Sequence, residues 1–359
     1  MPGAGSVEII VVVHQRYQAK LSGWIKQQQF AVPAQDMPRI EVIAVPEYEG
    51  SLAALLAARG RIRGDFLVVG CDLVTDAPLS RMADLHRARG ALFTCMLSGP
   101  QACGLMAGAG PGGADVSADA RYVASLAGEE LLVALDLDTL ATSTSAAGQS
   151  TSTCELIYCT PQADALDDAT NAFLPVRMTT LYRHPRLRLR TDLLDPHCYL
   201  FGAGVFAVID AIVARHGGAQ GPAVPASLFS LREDVVPRIM AHVQRFHTCQ
   251  LRDAAAERAP GSYAFIVDAG YYCLRANTLP ALLEAGRQVL RAGAPGGARV
   301  AASAEVPARA QVGADALLGE GTRLGERSAV KRSVVGAACV IGCGVKLANS
   351  LVFDGAVIE

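Results

Sequence analysis

Charged and aromatic residues are scarce in this chain, and no long apolar run is present. Charged residues make up 18% and aromatic residues 6% of the 359 residues, and the formal net charge is −2. Nothing in this balance favours nucleic acid or an anionic membrane as a partner. No apolar run approaches the roughly 20 residues that a membrane-spanning helix needs. Residues 1–5 lack the charged-then-apolar layout of a signal peptide, so we expect a cytosolic protein.

The usual signatures of catalytic and metal sites are missing as well. The ten cysteines are scattered, and even the pairs Cys154/Cys159 and Cys339/Cys343 lack the tight spacing of a zinc site. We therefore expect reduced, mostly buried thiols. No serine-hydrolase elbow, zinc-protease helix or phosphate-binding Gly-Lys-Ser/Thr loop occurs. The sequence predicts neither a metal nor a cofactor.

What the chain does have is an apolar residue that recurs every six positions near its end, with one slip of a residue after Val330, and that is often followed by glycine. A period of six fits neither a helix nor an ordinary strand, and it predicts a hexapeptide-repeat parallel β-helix over residues 306–359. The aliphatic side chains should point into the coil, and glycine suits a turn where a Cβ would be strained. The predicted core residues are Val312, Leu318, Leu324, Val330, Val335, Ile341 and Leu347.

Ahead of the repeats, strand and helix patterns alternate. Near-continuous apolar runs predict strands, the first two of them buried on both faces, at 7–13, 40–45, 66–69 and 91–97. Helical patterns occur at 17–30, 51–59, 79–89, 231–246 and 278–290. Ser51 is the predicted cap of its helix. This alternation predicts a mostly parallel, doubly wound α/β sheet over residues 1–292. Composition predicts loose insertions at 98–120 and 141–153 and a linker at 293–305.

A doubly wound sheet binds ligands at the carboxyl ends of its strands, and Asp72 directly follows such a strand. One interpretation is a carboxylate that holds Mg²⁺ against a nucleoside triphosphate. The other is a turn carboxylate that accepts backbone N–H groups, as Asp often does. Asp76 follows Asp72 closely. The motif alone does not separate the two interpretations.

Residues 186–190 alternate strictly between arginine and leucine, which predicts a strand with one apolar and one basic face. The basic face consists of Arg186, Arg188 and Arg190. It is either the solvated outer face of an edge strand or a basic patch that meets an acidic partner surface.

Five stretches together resemble a known family. They are residues 65–76 (DFLVVGCDLVTD), 184–199 (HPRLRLRTDLLDPHCY), 230–238 (SLREDVVPR), 275–279 (RANTL) and 325–336 (GERSAVKRSVVG). A sheet domain followed by hexapeptide coils is similar to the sugar-1-phosphate nucleotidyltransferase superfamily. Within it, the stretches resemble the gamma subunits of eukaryotic translation initiation factor 2B. The resemblance spans nearly the whole chain and implies a nucleotidyltransferase-like, Rossmann-like domain followed by a left-handed β-helix.

The chain departs from the enzymes of this superfamily at positions that their chemistry uses. Active members carry a Gly-rich triphosphate loop with an Arg and a Pro-Lys-Pro segment, which this sequence lacks. They also carry a second metal-binding Asp, and the matching position here is Arg275. The resemblance thus implies that Asp72 and Arg275 form a vestigial nucleotide and metal site with no catalytic residue. Because it also implies one more N-terminal strand and further C-terminal coils, we expect the chain to be incomplete at both ends.

The resemblance implies a non-catalytic regulatory and scaffold subunit of the guanine-nucleotide exchange factor for translation initiation factor 2. Its expected partners are the epsilon subunit, the alpha, beta and delta subunits, and initiation factor 2 itself. It would support GDP/GTP exchange by the epsilon subunit, with no direct contact to nucleic acid or a membrane. The alternative is an active sugar-1-phosphate nucleotidyltransferase. A third possibility, a hexapeptide acyltransferase, is weakened because the repeats contain no histidine.

Overall fold

We describe the protein from a computed structural model. The structure describes residues 8–29, 38–104, 130–145, 148–161, 178–216, 228–249, 261–292, 299–313 and 316–359. These residues form a mixed α/β protein with one large mixed sheet and several short parallel sheets. Within the described ranges, no helix has both the length and the apolar content that crossing a membrane requires.

The helices and strands follow the chain in this order. The α-helices are α1 (Gln15–Gln29), α2 (Ser51–Ala58), α3 (Leu79–Arg89), α4 (Met178–Arg183), α5 (Val205–His216), α6 (Val236–Cys249) and α7 (Leu279–Ala292). A 3-10 turn at Arg59–Arg61 follows α2, and a π-helical turn at Leu231–Val235 leads into α6. The strands ahead of the repeats are β1 (Glu8–His14), β2 (Arg39–Val45), β3 (Phe66–Val69), β4 (Leu73–Thr75), β5 (Phe93–Ser98), β6 (Glu130–Thr144), β7 (Ser150–Pro161), β8 (Leu187–Leu194), β9 (Cys198–Phe201), β10 (Ser262–Val267) and β11 (Cys273–Arg275). Those of the repeats are β12 (Gln311–Val312), β13 (Leu317–Leu318), β14 (Arg323–Leu324), β15 (Ala329–Lys331), β16 (Val334–Val335), β17 (Val340–Ile341), β18 (Lys346–Ala348), β19 (Leu351–Val352) and β20 (Val357–Ile358).

The large sheet has seven strands in the order β10-β7-β6-β8-β5-β9-β3. In addition to these neighbours, β10 pairs with β5, and this pairing is parallel. The other strand pairings of the large sheet are antiparallel. The prediction of a mostly parallel sheet is therefore wrong for this part of the chain. One physical reason is the β6–β7 hairpin, whose strands follow each other without the long crossover that parallel pairing needs.

β5 lies at the centre of the core and is buried along its whole length. Phe93 and Leu97 belong to one apolar cluster, to which α5 and α6 contribute Ile209 and Ile239. Met96 belongs to a second cluster, which includes a residue of α3. Because successive strand residues point to opposite faces, β5 carries helices on both sides. This layering places the chain in the α/β class.

β1 and β2 form a separate two-stranded parallel sheet, with Val11 opposite Val42. Among the described residues, neither strand pairs with the large sheet. The prediction that both strands are buried on both faces is wrong, because most of their residues are only partly buried and Ile9 is 39% exposed. A strand that is paired along one edge leaves apolar surface in contact with solvent.

Composition predicts a loose insertion at 141–153, and that prediction is wrong for residues 141–144 and 150–153, which belong to the strands of the β6–β7 hairpin. Ala141 lies opposite Thr153. The reason is that threonine is β-branched and favours strands, and that its hydroxyl bonds across the ladder. Thr142 Oγ1 lies 3.1 Å from Ser152 Oγ. Residues 105–120 of the other predicted insertion and 293–298 of the predicted linker lie outside the described residues.

Ser51 does not cap its helix, so that prediction is also wrong. Gly50 is the N-cap residue, and no side chain caps the helix. The Ser51 hydroxyl accepts a hydrogen bond from Leu231 N–H at 2.8 Å, which ties α2 to the turn before α6. A Cβ on Gly50 would lie 2.3 Å from the Phe229 carbonyl oxygen. The two segments therefore approach too closely for any side chain at Gly50.

The repeats form three parallel three-stranded sheets. Consecutive strands of the chain belong to the first, second and third sheet in rotation, so the strand orders are β12-β15-β18, β13-β16-β19 and β14-β17-β20. We name this region the strand stack. Val312 pairs with Val330, and Val330 pairs with Leu347, so each pairing spans about three hexads. Pairing already starts at Val300 and Glu305, inside the predicted linker.

The aliphatic positions of the repeat gather in one apolar cluster inside the strand stack. Its buried members include Leu318, Leu324, Val330, Val335 and Ile341. Val312 and Leu347 are partly buried and pack against it. Every predicted core position therefore lies in this cluster or against it. Burying such a column of aliphatic side chains is what stabilises short strands that could not persist alone.

The repeated glycines are required by close contact between successive turns rather than by backbone strain. A Cβ on Gly325 would lie 2.4 Å from the carbonyl carbon of Gly342, in the next turn. The left-handed conformation falls two residues later, at Arg327, where φ is 59°. The expectation that a Cβ would be strained here is therefore confirmed at Gly325, and the strain comes from the adjacent turn. At Gly325 the neighbouring backbone leaves no room for a side chain.

Helix α7 joins the sheet domain to the strand stack. A Cβ on Gly286 would lie 3.0 Å from Val334 Cγ2, so the helix packs directly on the stack. Arg287 Nη2 donates to Asn349 Oδ1 at 2.9 Å, and its Nη1 donates to Glu284 Oε2 at 3.1 Å. Because α7 follows β11 closely, the position of β11 bears on how the two regions meet.

We predict that Gly325→Ala lowers the free energy of unfolding by about 1–3 kcal/mol, because the added methyl group must displace the adjacent backbone. A urea titration followed by circular dichroism measures the shift in midpoint. Gly344→Asn is the matched control: Gly344 has φ of 75° and open space around an added Cβ, and Asn tolerates this conformation. Equal losses in the two variants would contradict the close-contact explanation.

Candidate functional site

The candidate site is built on the turn that connects β3 to β4. Gly70 N–H donates to the His197 carbonyl at 2.9 Å, and Leu73 N–H donates to the Gly70 carbonyl at 3.2 Å. A Cβ on Gly70 would lie 2.7 Å from Asp72 Oδ1. The turn therefore needs a glycine so that the Asp72 carboxylate can fold back beside it.

Asp72 is held in an ion pair with Arg275. Arg275 Nε and Nη2 both donate to Asp72 Oδ2, at 2.9 and 2.7 Å. Antiparallel pairing of β4 with β11 sets Arg275 opposite Leu73, and Ala276 N–H donates to the Asp72 carbonyl at 2.7 Å. The two side chains are 17% and 20% exposed. Solvent screening of this pair is therefore limited, and the guanidinium satisfies an oxygen that a metal ion would need.

Asp76 acts as a turn carboxylate. Its Oδ1 accepts the Tyr272 N–H at 2.8 Å, and its own N–H donates to the Tyr272 carbonyl at 3.3 Å. Burial raises the pKa of Asp76, and the hydrogen bond from Tyr272 opposes that shift. Thr75 Oγ1 also donates to the Tyr272 carbonyl, at 2.8 Å. Asp76 thus fastens β4 to the segment before β11 and faces backbone groups.

A second group of residues beside this pair was not singled out by the sequence. His197 has φ of 57°, and its N–H donates to Asp195 Oδ1 at 2.8 Å. The Tyr199 hydroxyl donates to Asp195 Oδ2. Arg232 Nε lies 3.8 Å from the same oxygen. The order Asp-Pro-His-Cys-Tyr within 184–199 is the signal that would have pointed here, because Asp commonly bonds the backbone two residues on.

These neighbours favour a neutral histidine. Burial lowers the pKa of His197; the nearby Asp195 opposes this shift, while Arg275 and Arg232 reinforce it. Burial likewise raises the pKa of Tyr199, so its hydroxyl stays a hydrogen-bond donor at neutral pH. The arrangement therefore offers two carboxylates, Asp72 and Asp195, that each lie beside an arginine, rather than carboxylates that are open to two metal ions.

The basic strand 186–190 is only partly as predicted. β8 pairs with β6 along its length but with β5 only at Leu194, so most of its second edge is open. Arg186 bonds Asp138 at 2.9 Å, and Arg190 bonds Asp192, which lowers the pKa of that carboxyl group. Leu189 is 54% exposed, so the predicted apolar face is not fully covered. Arg188 is exposed and forms no salt bridge among the described residues.

No disulfide links the cysteines whose side chains the structure describes, and most of these cysteines are buried. Burial raises the pKa values of Cys154, Cys198 and Cys273 to about 12, so these side chains stay protonated at neutral pH. Cys71, next to Asp72, and Cys343, in the strand stack, are the exposed ones. The expectation that most thiols are buried is confirmed for the described residues.

Models of known protein families and curated proteins give no match to this chain.

We predict that Arg275→Ala lowers the free energy of unfolding by about 1–3 kcal/mol, because a partly buried carboxylate then loses two charge-assisted hydrogen bonds. Chemical denaturation measures the loss. Arg275→Lys keeps the charge without the fork of donors, and an intermediate loss is expected.

A double-mutant cycle with Asp72→Asn isolates the pair from other effects of removing the long arginine side chain. The cost of Arg275→Ala should shrink in the Asp72→Asn background. A change within about 0.5 kcal/mol for Arg275→Ala alone, the range of ordinary surface substitutions, would mean that the ion pair does not stabilise this region.

Proposed function

We propose that this chain is a non-catalytic scaffold subunit, the gamma subunit of the guanine-nucleotide exchange factor for translation initiation factor 2. The observation that carries the proposal is the pairing of Arg275 with Asp72 through two hydrogen bonds to one carboxylate oxygen. In the nucleotidyltransferases that the chain resembles, a second carboxylate stands at the position of Arg275. A guanidinium there repels Mg²⁺ and occupies its ligand, so this site does not support nucleotidyl transfer.

The fold that goes with this proposal is a nucleotidyltransferase-like domain over residues 1–292 followed by a left-handed parallel β-helix over 306–359. The parallel sheets of the strand stack, with pairing about every three hexads, support the second part. A rigid stack offers flat faces for a permanent interface, and such interfaces bury more than about 2,000 Å². Phe353 and Val357 lie on the outside of the stack and are 63% and 65% exposed.

Several exposed side chains of the sheet domain suit a protein partner. Tyr182 on α4 is 81% exposed, and Met178 of the same helix and Leu189 of the basic strand are exposed large apolar side chains. Arg188 is exposed as well, and because it precedes Leu189 in the strand its side chain points to the opposite face. Aromatic, methionine and arginine side chains are enriched in interfaces.

The partners that the proposal names are the epsilon subunit in a direct pair, then the alpha, beta and delta subunits and initiation factor 2. In this arrangement the epsilon subunit releases GDP, and the present chain holds it and the substrate factor in place. Such a role belongs in the cytosol and uses no cofactor. It requires neither nucleic acid nor membrane contact, which is consistent with a net charge of −2.

The test is co-expression of this chain with the epsilon subunit, followed by size-exclusion chromatography with light scattering. We expect a stable stoichiometric complex that releases labelled GDP from initiation factor 2 faster than the epsilon subunit alone. Absence of a complex, or pyrophosphorylase activity of the isolated chain with any sugar 1-phosphate, would overturn the proposal.

Charge reversal separates the two interpretations of the basic strand. If Arg188 faces the partner, Arg188→Glu weakens the complex at least tenfold, whereas Arg81→Glu, a matched change at an exposed position on α3, leaves it unchanged. Equal affinities of the two variants would assign Arg188 to a solvated face, with the scaffold proposal itself unaffected.

A further inference from the structure

Helix α1 leaves its two aromatic side chains in solvent. Trp24, the only tryptophan of the chain, is 56% exposed, and Tyr17, seven residues before it, is 48% exposed. Residues seven apart lie on the same face of a helix. The helix packs on β1 and β2, where Ile25 is buried. The aromatic face is therefore an outer surface and not part of the core.

The charge of α1 has one sign. Its charged residues are Arg16, Lys20 and Lys26, all of them exposed, and the helix contains no acidic residue although the whole chain has a net charge of −2. The Arg16 guanidinium carbon lies over the Tyr17 ring, 4.5 Å from its centroid. Within the described ranges, none of the three cations takes part in a salt bridge. Aromatic side chains bordered by cations are typical of a surface that docks on acidic groups.

A surface of the opposite charge follows β2. Glu47, Tyr48 and Glu49 are all exposed, and the Tyr48 ring stands edge-on to that of Phe229, with 5.3 Å between the ring centroids. We name these four residues the acidic patch. Its two rings are 64% and 46% exposed. Leu52 N–H donates to the Phe229 carbonyl at 3.4 Å, which holds the two segments of the patch together. A surface that is ordered in advance loses less conformational entropy on binding.

The two surfaces begin at the same end of the β1–β2 sheet. These strands pair in parallel with His14 opposite Val45. Helix α1 starts directly after His14, and the acidic patch starts two residues after Val45. One copy of the chain therefore presents a basic and an acidic aromatic surface at neighbouring places. A two-fold axis brings each surface against its opposite on a second copy, so that every contact is made twice.

We propose that two copies of this chain associate through these surfaces, with α1 of one copy against the acidic patch of the other. Contact of α1 with its own counterpart would instead bring like charges together. The four half-exposed rings of each copy would supply about 400 Å² of the roughly 800 Å² that a standard interface takes from each partner. The dimer therefore belongs to the weak, reversible class, and its charged rim makes it sensitive to salt. This inference is independent of the function proposed above.

Tryptophan emission reports on this surface alone, because Trp24 is the only tryptophan. Sedimentation velocity of the isolated full chain measures association, and the emission is recorded over the same concentrations. We expect a dimer with Kd of about 10 μM and emission that moves to shorter wavelength along the same binding curve. Raising the salt from about 50 to about 500 mM should weaken the dimer at least about fivefold. A chain that stays monomeric to about 100 μM, or that dimerises with unchanged emission, would overturn the proposal. So would an emission shift that requires phosphatidylserine vesicles.

Charge reversal tests which surfaces meet. Lys20→Glu and Glu49→Lys should each weaken the dimer at least about tenfold. Lys331→Glu, at an exposed position of the strand stack, is the matched control and should leave the dimer unchanged. An equimolar mixture of the first two variants should restore the dimer, because one contact then joins the two reversed charges and the other joins the two original ones. All three positions are exposed, so the fold is retained, which circular dichroism checks. Single variants that dimerise as well as the original chain, or a mixture as weak as its components, would contradict the proposed pairing.

Discussion

The proposed function depends mainly on one interaction, the ion pair between Asp72 and Arg275. It joins residues that lie far apart in the chain and closes β4 against β11. Because β11 leads into α7, which packs on Val334 of the strand stack, the same contact bears on how the two regions meet. A guanidinium at this carboxylate gives it a structural role, because it occupies an oxygen that a metal ion would need.

The two regions are stabilised in different ways, and both suit a rigid scaffold. The sheet domain relies on side chains packed on both faces of β5. The strand stack relies on an aliphatic column and on backbones so close that Gly325 admits no side chain. Such regular stacking keeps the outer faces flat, and apolar side chains such as Phe353 are left on them. Rigid faces with exposed apolar groups bind partners with little loss of conformational entropy.

Local patterns in the sequence were enough to locate much of the fold. The six-residue period placed Leu318 and Ile341 in an apolar core, and α3 has the predicted bounds. The hairpin at 141–153 was missed because serine and threonine also suit loops, and only cross-strand pairing reveals the strand. Ser51 was misassigned because its partner, Leu231, is distant in sequence. The proximity of Asp72 and Arg275 was implied by resemblance alone, since long-range contacts leave no local period. Asp195 and His197 were missed for the same reason.

Whether Asp72 is available to a metal–nucleotide complex decides between a scaffold and an enzyme. The most direct measurement is a calorimetric titration of GTP with Mg²⁺ onto the isolated chain. Because Arg275 occupies the Asp72 carboxylate, no binding tighter than about 1 mM is expected. A dissociation constant in the micromolar range that is abolished by Asp72→Asn would contradict the proposal that Arg275 keeps a metal–nucleotide complex from Asp72.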